Sequence, residues 1–159
     1  MPILNYTTTV SAMRTASQVQ DMLAKHGASE VSLRYANGLP VALAFSIGTS
    51  HGARNFRLPV NVEGVYDTIK KYGSGVPPRY QSRAQAEKIA WRITKDWVEA
   101  QLAMIEAGLS RLDEVMLPFM MVGEYGQTLS ERYQVSAGMR AAIESGESEH
   151  DPSASDTGR

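Results

Sequence analysis

The fold is decided by residues 31–58, VSLRYANGLPVALAFSIGTSHGARNFRL, in which hydrophobic and polar residues alternate. The pair Asn37-Gly38 suits a type I′ turn, because both central positions of that turn require a positive φ. A second turn at 48–52 leads into a third alternating run, which Pro59 ends or places at a sheet edge. We therefore expect two consecutive hairpins, which form three antiparallel strands.

One further strand and several helices flank these hairpins. Alternation and threonine content predict a strand at 3–10. Capping boxes, in which Ser or Thr is followed three residues later by Gln, begin helices predicted at 15–26 and 82–107. Asn61 would cap a helix between them that Gly73 closes. The predicted order βαβββααα is an α+β fold in which helices pack on a small antiparallel sheet.

The longest predicted helix, 82–107, carries two apolar stripes, whereas a surface helix needs only one. One stripe would pack on the sheet. The other would pack on a second copy of the chain or on a later helix, such as one expected at 110–121 that Pro118 would kink or end. We therefore expect a homodimer or larger assembly with a long C-terminal helix at the oligomer interface.

Composition limits the organisation and the setting of the chain. Residues 1–133 read as a single α+β domain, whereas 134–159 are rich in Ser, Glu, Gly and Asp and are predicted to be an acidic, disordered tail. The 159 residues include no cysteine, which excludes disulfides and thiolate metal sites. Because a signal-peptide pattern and an apolar run of about 18 residues are missing, we expect a cytoplasmic protein with no membrane partner.

Charge is sorted along the chain although the net charge is only −1. Residues 51–95 carry nine Lys or Arg against three acids, a net charge of +6, whereas residues 96–159 carry four against twelve, a net charge of −8. Such a separation indicates an anionic partner for the middle of the chain, either a small molecule or a nucleic acid, or pairing of the two zones with each other.

The basic zone supplies the candidate binding residues. Arginine forks match phosphate geometry, an asparagine can bind a base or sugar edge, and a loop tyrosine can stack on a base. The predicted ligand-binding residues are Arg54, Asn55, Arg57, Arg79, Tyr80, Arg83, Lys88 and Arg92. Structural alternatives exist for each group. The residues near Arg54 could form a solvated edge strand, and Tyr80 could pack on the core. Lys88, Arg92 and Lys95 could form a solvated helix face.

Residue spacing does not indicate catalysis, a metal or a cofactor. The three histidines, His26, His51 and His150, are far apart in the chain and show no metal-ligand spacing, and nucleophile-elbow and Walker motifs are missing. The one catalytic alternative is phosphodiester cleavage by His51 beside Arg54 and Arg57. We therefore expect a binding protein that is not an enzyme and needs no cofactor.

Several short blocks carry a family resemblance. They are PILNY at 2–6, KHGA at 25–28, FRLP at 56–59, AWRI at 90–93 with WVEAQ at 97–101, and LPFM at 117–120 with QTL at 127–129. Through these blocks residues 1–133 resemble uncharacterised small proteins encoded by bacteriophages and prophages. The resemblance implies the cytoplasm of a bacterial host cell and a role in handling viral DNA or in disarming a host defence. It carries over no functional residue.

Three hypotheses follow from the charge, the candidate residues and the resemblance. The first is a non-catalytic protein that binds an anionic nucleotide-type ligand and sequesters a host defence signalling nucleotide. The second is a single-stranded nucleic-acid-binding protein of phage replication or recombination, against which the net charge and the acidic tail weigh. The third is an inhibitor whose acidic C-terminal zone mimics nucleic acid toward a host defence factor.

Overall fold

The computed structural model describes residues 1–71 and 74–147, apart from the side chains of the last two. The elements in chain order are α1 (Ala12–Lys25), β1 (Ala28–Ala36), β2 (Leu39–Thr49), β3 (Gly52–Pro59), α2 (Val62–Lys70), α3 (Arg83–Glu106), α4 (Leu112–Val115), β4 (Met121–Val122), β5 (Gln127–Thr128) and α5 (Leu129–Glu147). Short 3-10 turns lie at Pro78–Tyr80 and Leu117–Phe119. The predicted α+β class, with a small antiparallel sheet and a long C-terminal helix, is confirmed.

The main sheet has the order β1-β2-β3 and is antiparallel throughout. Asn37 and Gly38 have φ values of 51° and 77°, which confirms the predicted turn between the first two strands. One face of the sheet is apolar, and near its centre Phe45 stacks on Phe56 with ring centroids 5.2 Å apart. Side chains of α1 and α3 complete the same core, so the helices cover this face of the sheet.

The two edges of the main sheet differ. β1 forms one edge, and its pairing with β2 shifts register between Ala28 and Glu30 and again after Arg34. At the other edge, Met120 forms an antiparallel bridge with Phe56 of β3 just before β4 begins. The small β4–β5 hairpin therefore lies beside β3.

Residues 3–10, predicted as a first strand, form a turn and an irregular segment instead, so that prediction is wrong. The side-chain amide of Gln85 on α3 donates hydrogen bonds of 2.9 Å to the carbonyl oxygens of Tyr6 and Thr8. Asn5 has a left-handed backbone, with φ 63°. Because a side chain of α3 takes up these carbonyl groups, the segment needs no sheet ladder, and tertiary contacts override its β propensity.

Side-chain caps set the beginnings of the first three long helices. Ser11 Oγ accepts a 3.2 Å hydrogen bond from the amide of Arg14, so α1 begins before its predicted start at Thr15. The predicted caps Asn61 and Ser82 are confirmed, since each accepts from the amide three residues later, at 2.9 and 3.1 Å. The predicted closing residue of α2 lies at position 73, outside the described residues.

The helix α3 is buried on more than one side within the chain. Trp91 and Val98 lie in the core against the sheet, and Ile89 lies in a second cluster against α2. α1 and α2 both pack on α3, and His26 at the end of α1 contacts Glu106, the last residue of α3. Toward the end of α3, Ala100 and Met104 are exposed. The oligomer interface expected on this helix stays a prediction.

The helix predicted at 110–121, with a kink or end at Pro118, is shorter than predicted. Only Leu112–Val115 is α-helical, and Pro118 then lies in a 3-10 turn. Proline has no amide hydrogen with which to continue an α-helix, and the next residues become extended as β4. After this end of the helix, Met120 and β4 lie beside the edge of β3.

The last helix, α5, begins at a capping box that was not predicted. The amide of Thr128 donates to the carboxylate of Glu131 at 2.9 Å, and the amide of Glu131 donates to the Thr128 hydroxyl at 3.2 Å. The helix continues to Glu147, so residues 134–147 of the predicted disordered tail are helical, and residues 148–159 lie outside the described residues. Among the described helices, none combines the length and hydropathy that a membrane crossing requires.

Candidate functional site

Three of the predicted binding residues lie where α3 begins. The Arg79 guanidinium is 4.8 Å from the ring centre of Tyr80, and that ring meets Tyr6 edge-on at 5.6 Å. Tyr80 therefore packs on the second hydrophobic cluster, which agrees with the alternative that Tyr80 packs on the core. Arg83 is ion-paired with Glu63 of α2, and its hydrogen bond holds the pKa of Glu63 below the ordinary value.

Two more predicted residues, Asn55 and Arg57, lie on the face of the sheet that points away from the main core. Nη2 of Arg57 donates to both carboxylate oxygens of Glu131, at 2.8 and 2.6 Å. The Oδ1 of Asn55 accepts a hydrogen bond from the Ser46 hydroxyl on β2. Arg57 therefore links β3 to the first turn of α5, and its charge is matched within the chain.

The helix face formed by Lys88, Arg92 and Lys95 on α3 mostly contacts neighbouring side chains. Arg92 donates a 2.8 Å hydrogen bond to the side-chain oxygen of Gln18 on α1. Lys95 forms a 2.8 Å ion pair with Glu99, one turn further along α3. Lys88 is half-buried and makes no ion pair or hydrogen bond to another described residue. The contacts of Arg92 and Lys95 match a structural helix face better than a ligand groove.

Arg54 differs from the other predicted arginines. It is paired with Ile47 across the sheet, on the same face as Phe56 but at the exposed end of that face. Its guanidinium donates to the carbonyl of the adjacent Ala53 at 3.0 Å. No described carboxylate forms an ion pair with it. The side chain lines a groove of about 300 Å³ between the β2–β3 turn and α4.

The groove brings together residues from three parts of the chain. The β2–β3 turn contributes Thr49 and His51, β3 contributes Arg54, and the region around α4 contributes the rest. The residues outside the strands and the turn are Arg111, Asp113, Glu114, Leu117 and Met120. Of these eight residues, only Arg54 belongs to the predicted binding set. The structure does not bring the other predicted residues into this groove.

A histidine–aspartate pair closes one side of the groove. Nδ1 of His51 lies 3.2 Å from the Asp113 carboxylate, and the Ser50 hydroxyl lies 3.1 Å from the same nitrogen. Thr49 holds the turn, because its hydroxyl accepts from the His51 amide at 3.1 Å and donates to the Gly52 carbonyl at 2.7 Å. An anionic Asp113 favours a proton on Nδ1, which leaves Nε2 of His51 free for a ligand.

Both carboxylates at the groove stay anionic near neutral pH. Partial burial opposes the charge of Asp113, but hydrogen bonds from His51 and Arg111 outweigh it and hold the pKa below the ordinary value. The pKa of Glu114 is also lowered, chiefly because the Arg111 amide donates to its carboxylate at 2.9 Å and the Ser110 hydroxyl at 3.0 Å. The groove therefore carries two arginines, a histidine and two carboxylates, and its charge is nearly balanced.

The arrangement of Ser50, His51 and Asp113 does not form a catalytic triad. A triad requires the hydroxyl and the carboxylate on opposite nitrogens of the imidazole. Here both lie on Nδ1, so the histidine cannot relay a proton from Ser50 while Asp113 orients it. The arrangement can instead present the Arg54 fork as a hydrogen-bond donor to an anion and the Nε2 of His51 as an acceptor.

A second, larger groove of about 540 Å³ adjoins the first on the other side of α4. It lies between the β2–β3 turn and the end of α3, and its apolar lining includes Ile105, Leu109 and Leu112. The two grooves share Thr49 and Arg111, together with the two carboxylates described above. The two grooves therefore adjoin and have these four polar residues in common.

Sequence reasoning missed Arg111 and Asp113 as site residues. In the sequence, Asp113 and Glu114 are two adjacent acids at a predicted helix start, a position that the helix dipole explains without a binding role. Asp113 lies 62 residues from His51 in the chain, so no local spacing connects them. Within the described residues, no three His, Asp or Glu side chains are grouped as metal ligands.

No protein-family model, curated protein or solved structure matches this chain. The resemblance to bacteriophage and prophage proteins therefore stays a prediction.

Proposed function

We propose that the chain is a non-catalytic binding protein for an anionic, nucleotide-type ligand, held in the groove between the β2–β3 turn and α4. The observation that supports this best is the state of Arg54, whose guanidinium lines the groove without a carboxylate partner among the described residues. The side chain of His51 lies beside it and is 67% exposed. The Arg54 guanidinium supplies the donors that a phosphate group requires, and Nε2 of His51 can accept a hydrogen bond from another part of the ligand.

The remainder of the groove favours a nucleotide over a bare phosphate. Leu117 is 48% exposed, and with Met120 it gives the groove an apolar wall against which a base can lie. Asp113 also lines the groove and can accept hydrogen bonds from ribose hydroxyls or a base amino group. A nucleotide has a phosphate for Arg54, hydrogen-bond donors for Asp113 and a flat base for the apolar wall of Leu117 and Met120.

The alternative of single-stranded nucleic-acid binding has weaker support. Nucleic-acid binding draws on cations that are free to neutralise successive phosphates. Arg57, Arg83 and Lys95 are each paired with a carboxylate of this chain. The nearly balanced charge of the groove favours a ligand of low charge over a polyanion.

In the cytoplasm of an infected bacterium, a protein that binds a nucleotide in this groove would sequester a signalling nucleotide of the host defence.

Isothermal titration calorimetry tests this proposal. The full chain is titrated with a panel of nucleoside monophosphates, cyclic mononucleotides, cyclic dinucleotides and inorganic phosphate. We expect at least one nucleotide to bind more tightly than phosphate. Arg54→Ala should weaken that binding about 10- to 100-fold, because a charged hydrogen bond contributes about 1.5–3 kcal/mol.

The matched control is Arg83→Ala, which removes an exposed arginine of the predicted set that is ion-paired with Glu63 outside this groove. It should leave the affinity within about twofold, a change well under 1 kcal/mol. The proposal is wrong if no member of the panel binds. It is also wrong if Arg83→Ala weakens binding as much as Arg54→Ala, since the ligand would then lie elsewhere.

A further inference from the structure

The helix α5 carries an apolar stripe that no other described part of the chain covers. Val135, Met139, Ala142 and Ile143 follow one another at positions i, i+4, i+7 and i+8, a spacing that places them on one side of a helix. Val135 is 56% exposed, Met139 63% and Ile143 61%. In a water-soluble setting, an amphipathic stripe of this kind normally packs against a partner surface.

Within residues 1–71 and 74–147, the contacts of α5 with other elements lie at its beginning. Its packing partners are β5 and the turn at Leu117–Phe119, and its ion pair with β3 is made by Glu131 in the first turn. Every described side chain from 131 to 145 is exposed. A helical segment of this length is marginal in water without tertiary contacts. The stability of α5 therefore requires that something covers the stripe.

We infer that the stripe pairs with the same stripe of a second copy of the chain, with the two helices antiparallel. Val135 and Ile143 lie at equal distances on either side of Met139. A two-fold axis at Met139 would then set Val135 of each helix against Ile143 of the other, with the two Met139 side chains in the middle. Self-complementarity of this kind is what a two-fold dimer interface requires.

Charge favours the antiparallel direction. The first turn of α5 has a positive surrounding. Arg132 follows Glu131 on the helix, Arg57 forms an ion pair with Glu131, and the charge of Arg34 also stabilises the Glu131 carboxylate. The pKa of Glu131 is lowered, first by the hydrogen bond from the Thr128 amide and then by these arginines. The sequence after Ile143 is acidic and contains no Lys or Arg before position 159. Its first acids are Glu144 and Glu147, which belong to α5, and Glu149 and Asp151 follow in the sequence.

An antiparallel pair brings the acidic end of each helix toward the positively charged first turn of the other, whereas a parallel pair would bring like charges together.

The paired segment, 131–145, is about 22 Å long at 1.5 Å per residue. That length is too short for the roughly 800 Å² per partner of a standard interface. We therefore expect a dimer that forms in the micromolar range and dissociates on dilution.

Sedimentation velocity and light scattering on the full chain test the partner. The wild-type mass should rise with concentration from 17.4 kDa to twice that value. Met139→Glu places a charge at the centre of the stripe and should keep the mass at 17.4 kDa at every concentration. Ala141→Glu, on the opposite side of the same helix, is the matched control and should leave the dimer intact. Both residues are exposed, so neither substitution disturbs the core.

Disulfide cross-linking tests the direction, and the chain has no cysteine of its own. Met139→Cys should cross-link to itself. Val135→Cys should not, but a mixture of Val135→Cys and Ile143→Cys chains should cross-link to each other. Efficient self-linking of Val135→Cys would mean a parallel pair and would overturn the inference. So would a wild-type mass that stays at 17.4 kDa at millimolar concentration, since a different protein would then be the partner.

Discussion

The indole Nε1 of Trp91 donates a 2.8 Å hydrogen bond to the carbonyl oxygen of Pro40. Both residues are fully buried, so this bond satisfies a carbonyl that water does not reach. Trp91 lies on α3, and Pro40 lies near the start of β2, close to the second register shift of β1. The bond therefore fixes the long helix against the irregular end of the first hairpin.

Trp91→Phe should lower the free energy of unfolding by about 3 kcal/mol, because it leaves a buried carbonyl without a donor and a cavity beside it. Urea denaturation followed by circular dichroism measures the loss. Trp97→Phe is the control. Trp97 is half-buried and meets Phe119 edge-on at 5.3 Å, a contact that a smaller ring can keep. If the two variants lose the same stability, the hydrogen bond to Pro40 contributes nothing particular.

Thr15→Val should raise the free energy of unfolding by about 1 kcal/mol. Thr15 is fully buried in α1, and its hydroxyl has no hydrogen-bond partner among the described residues. Valine has nearly the same shape without the polar group. Thr15→Ser keeps the hydroxyl and loses the methyl group, so it should be less stable than wild type. A Thr15→Val variant that melts below wild type would show that the hydroxyl has a partner after all.

Gly38→Ala should lower the free energy of unfolding by about 1–2 kcal/mol, because a Cβ at positive φ is strained. The φ of Gly38 is 77°, and a Cβ added there would meet no heavy atom within 4 Å, so the cost comes from the backbone alone. Gly48→Ala is the control, since its position is equally open and its φ is not positive. Thermal melts of the two variants compare them directly. Equal melting temperatures would count against the turn as a determinant of stability.

Glu131→Gln should shorten α5 near neutral pH, and the difference from wild type should vanish in acid. The pKa of Glu131 is lowered from 4.5, first by the Thr128 amide and also by Arg57. A lowered folded-state pKa means that the stabilisation is complete above about 4.5 and is lost as the pH falls through the folded value. Far-UV circular dichroism across this range measures the helix content.

The control for Glu131→Gln is Glu124→Gln, which removes an exposed acid from the β4–β5 turn. It should leave the helix content unchanged at every pH. A constant difference between Glu131→Gln and wild type down to strongly acidic pH would mean that the charge of Glu131 does not hold the helix.

Those parts of the fold that depend on local chemistry could be predicted from the sequence. The Asn37-Gly38 turn and the caps Asn61 and Ser82 need only their own residue types and neighbours a few positions away. The segment 3–10 was mistaken for a strand because its carbonyl groups are bound by Gln85, almost eighty residues later. The length of α5 was missed because a composition typical of disorder hides the stripe at Val135 and Met139.

The candidate site was harder to predict than the fold. Positive charge in the sequence indicated arginines, but not which of them would be neutralised. Glu131 pairs with Arg57 across 74 positions and Glu63 with Arg83 across 20, and neither spacing marks a pair in the sequence. Of the predicted arginines, Arg54, Arg79 and Arg92 have no carboxylate partner among the described residues, and only Arg54 of these three lines the groove. That distinction exists only after folding.

The unequal edges of the sheet have a consequence for how copies of this protein can associate. A regular exposed strand is a template on which further strands add, which leads to fibrils. Here β1 departs from a regular ladder at both ends, through shifts near Ala28 and Arg34, while Met120 occupies part of the far side. Neither side offers a long, flat row of free backbone groups, so concentrated solutions should resist amyloid-type polymerisation.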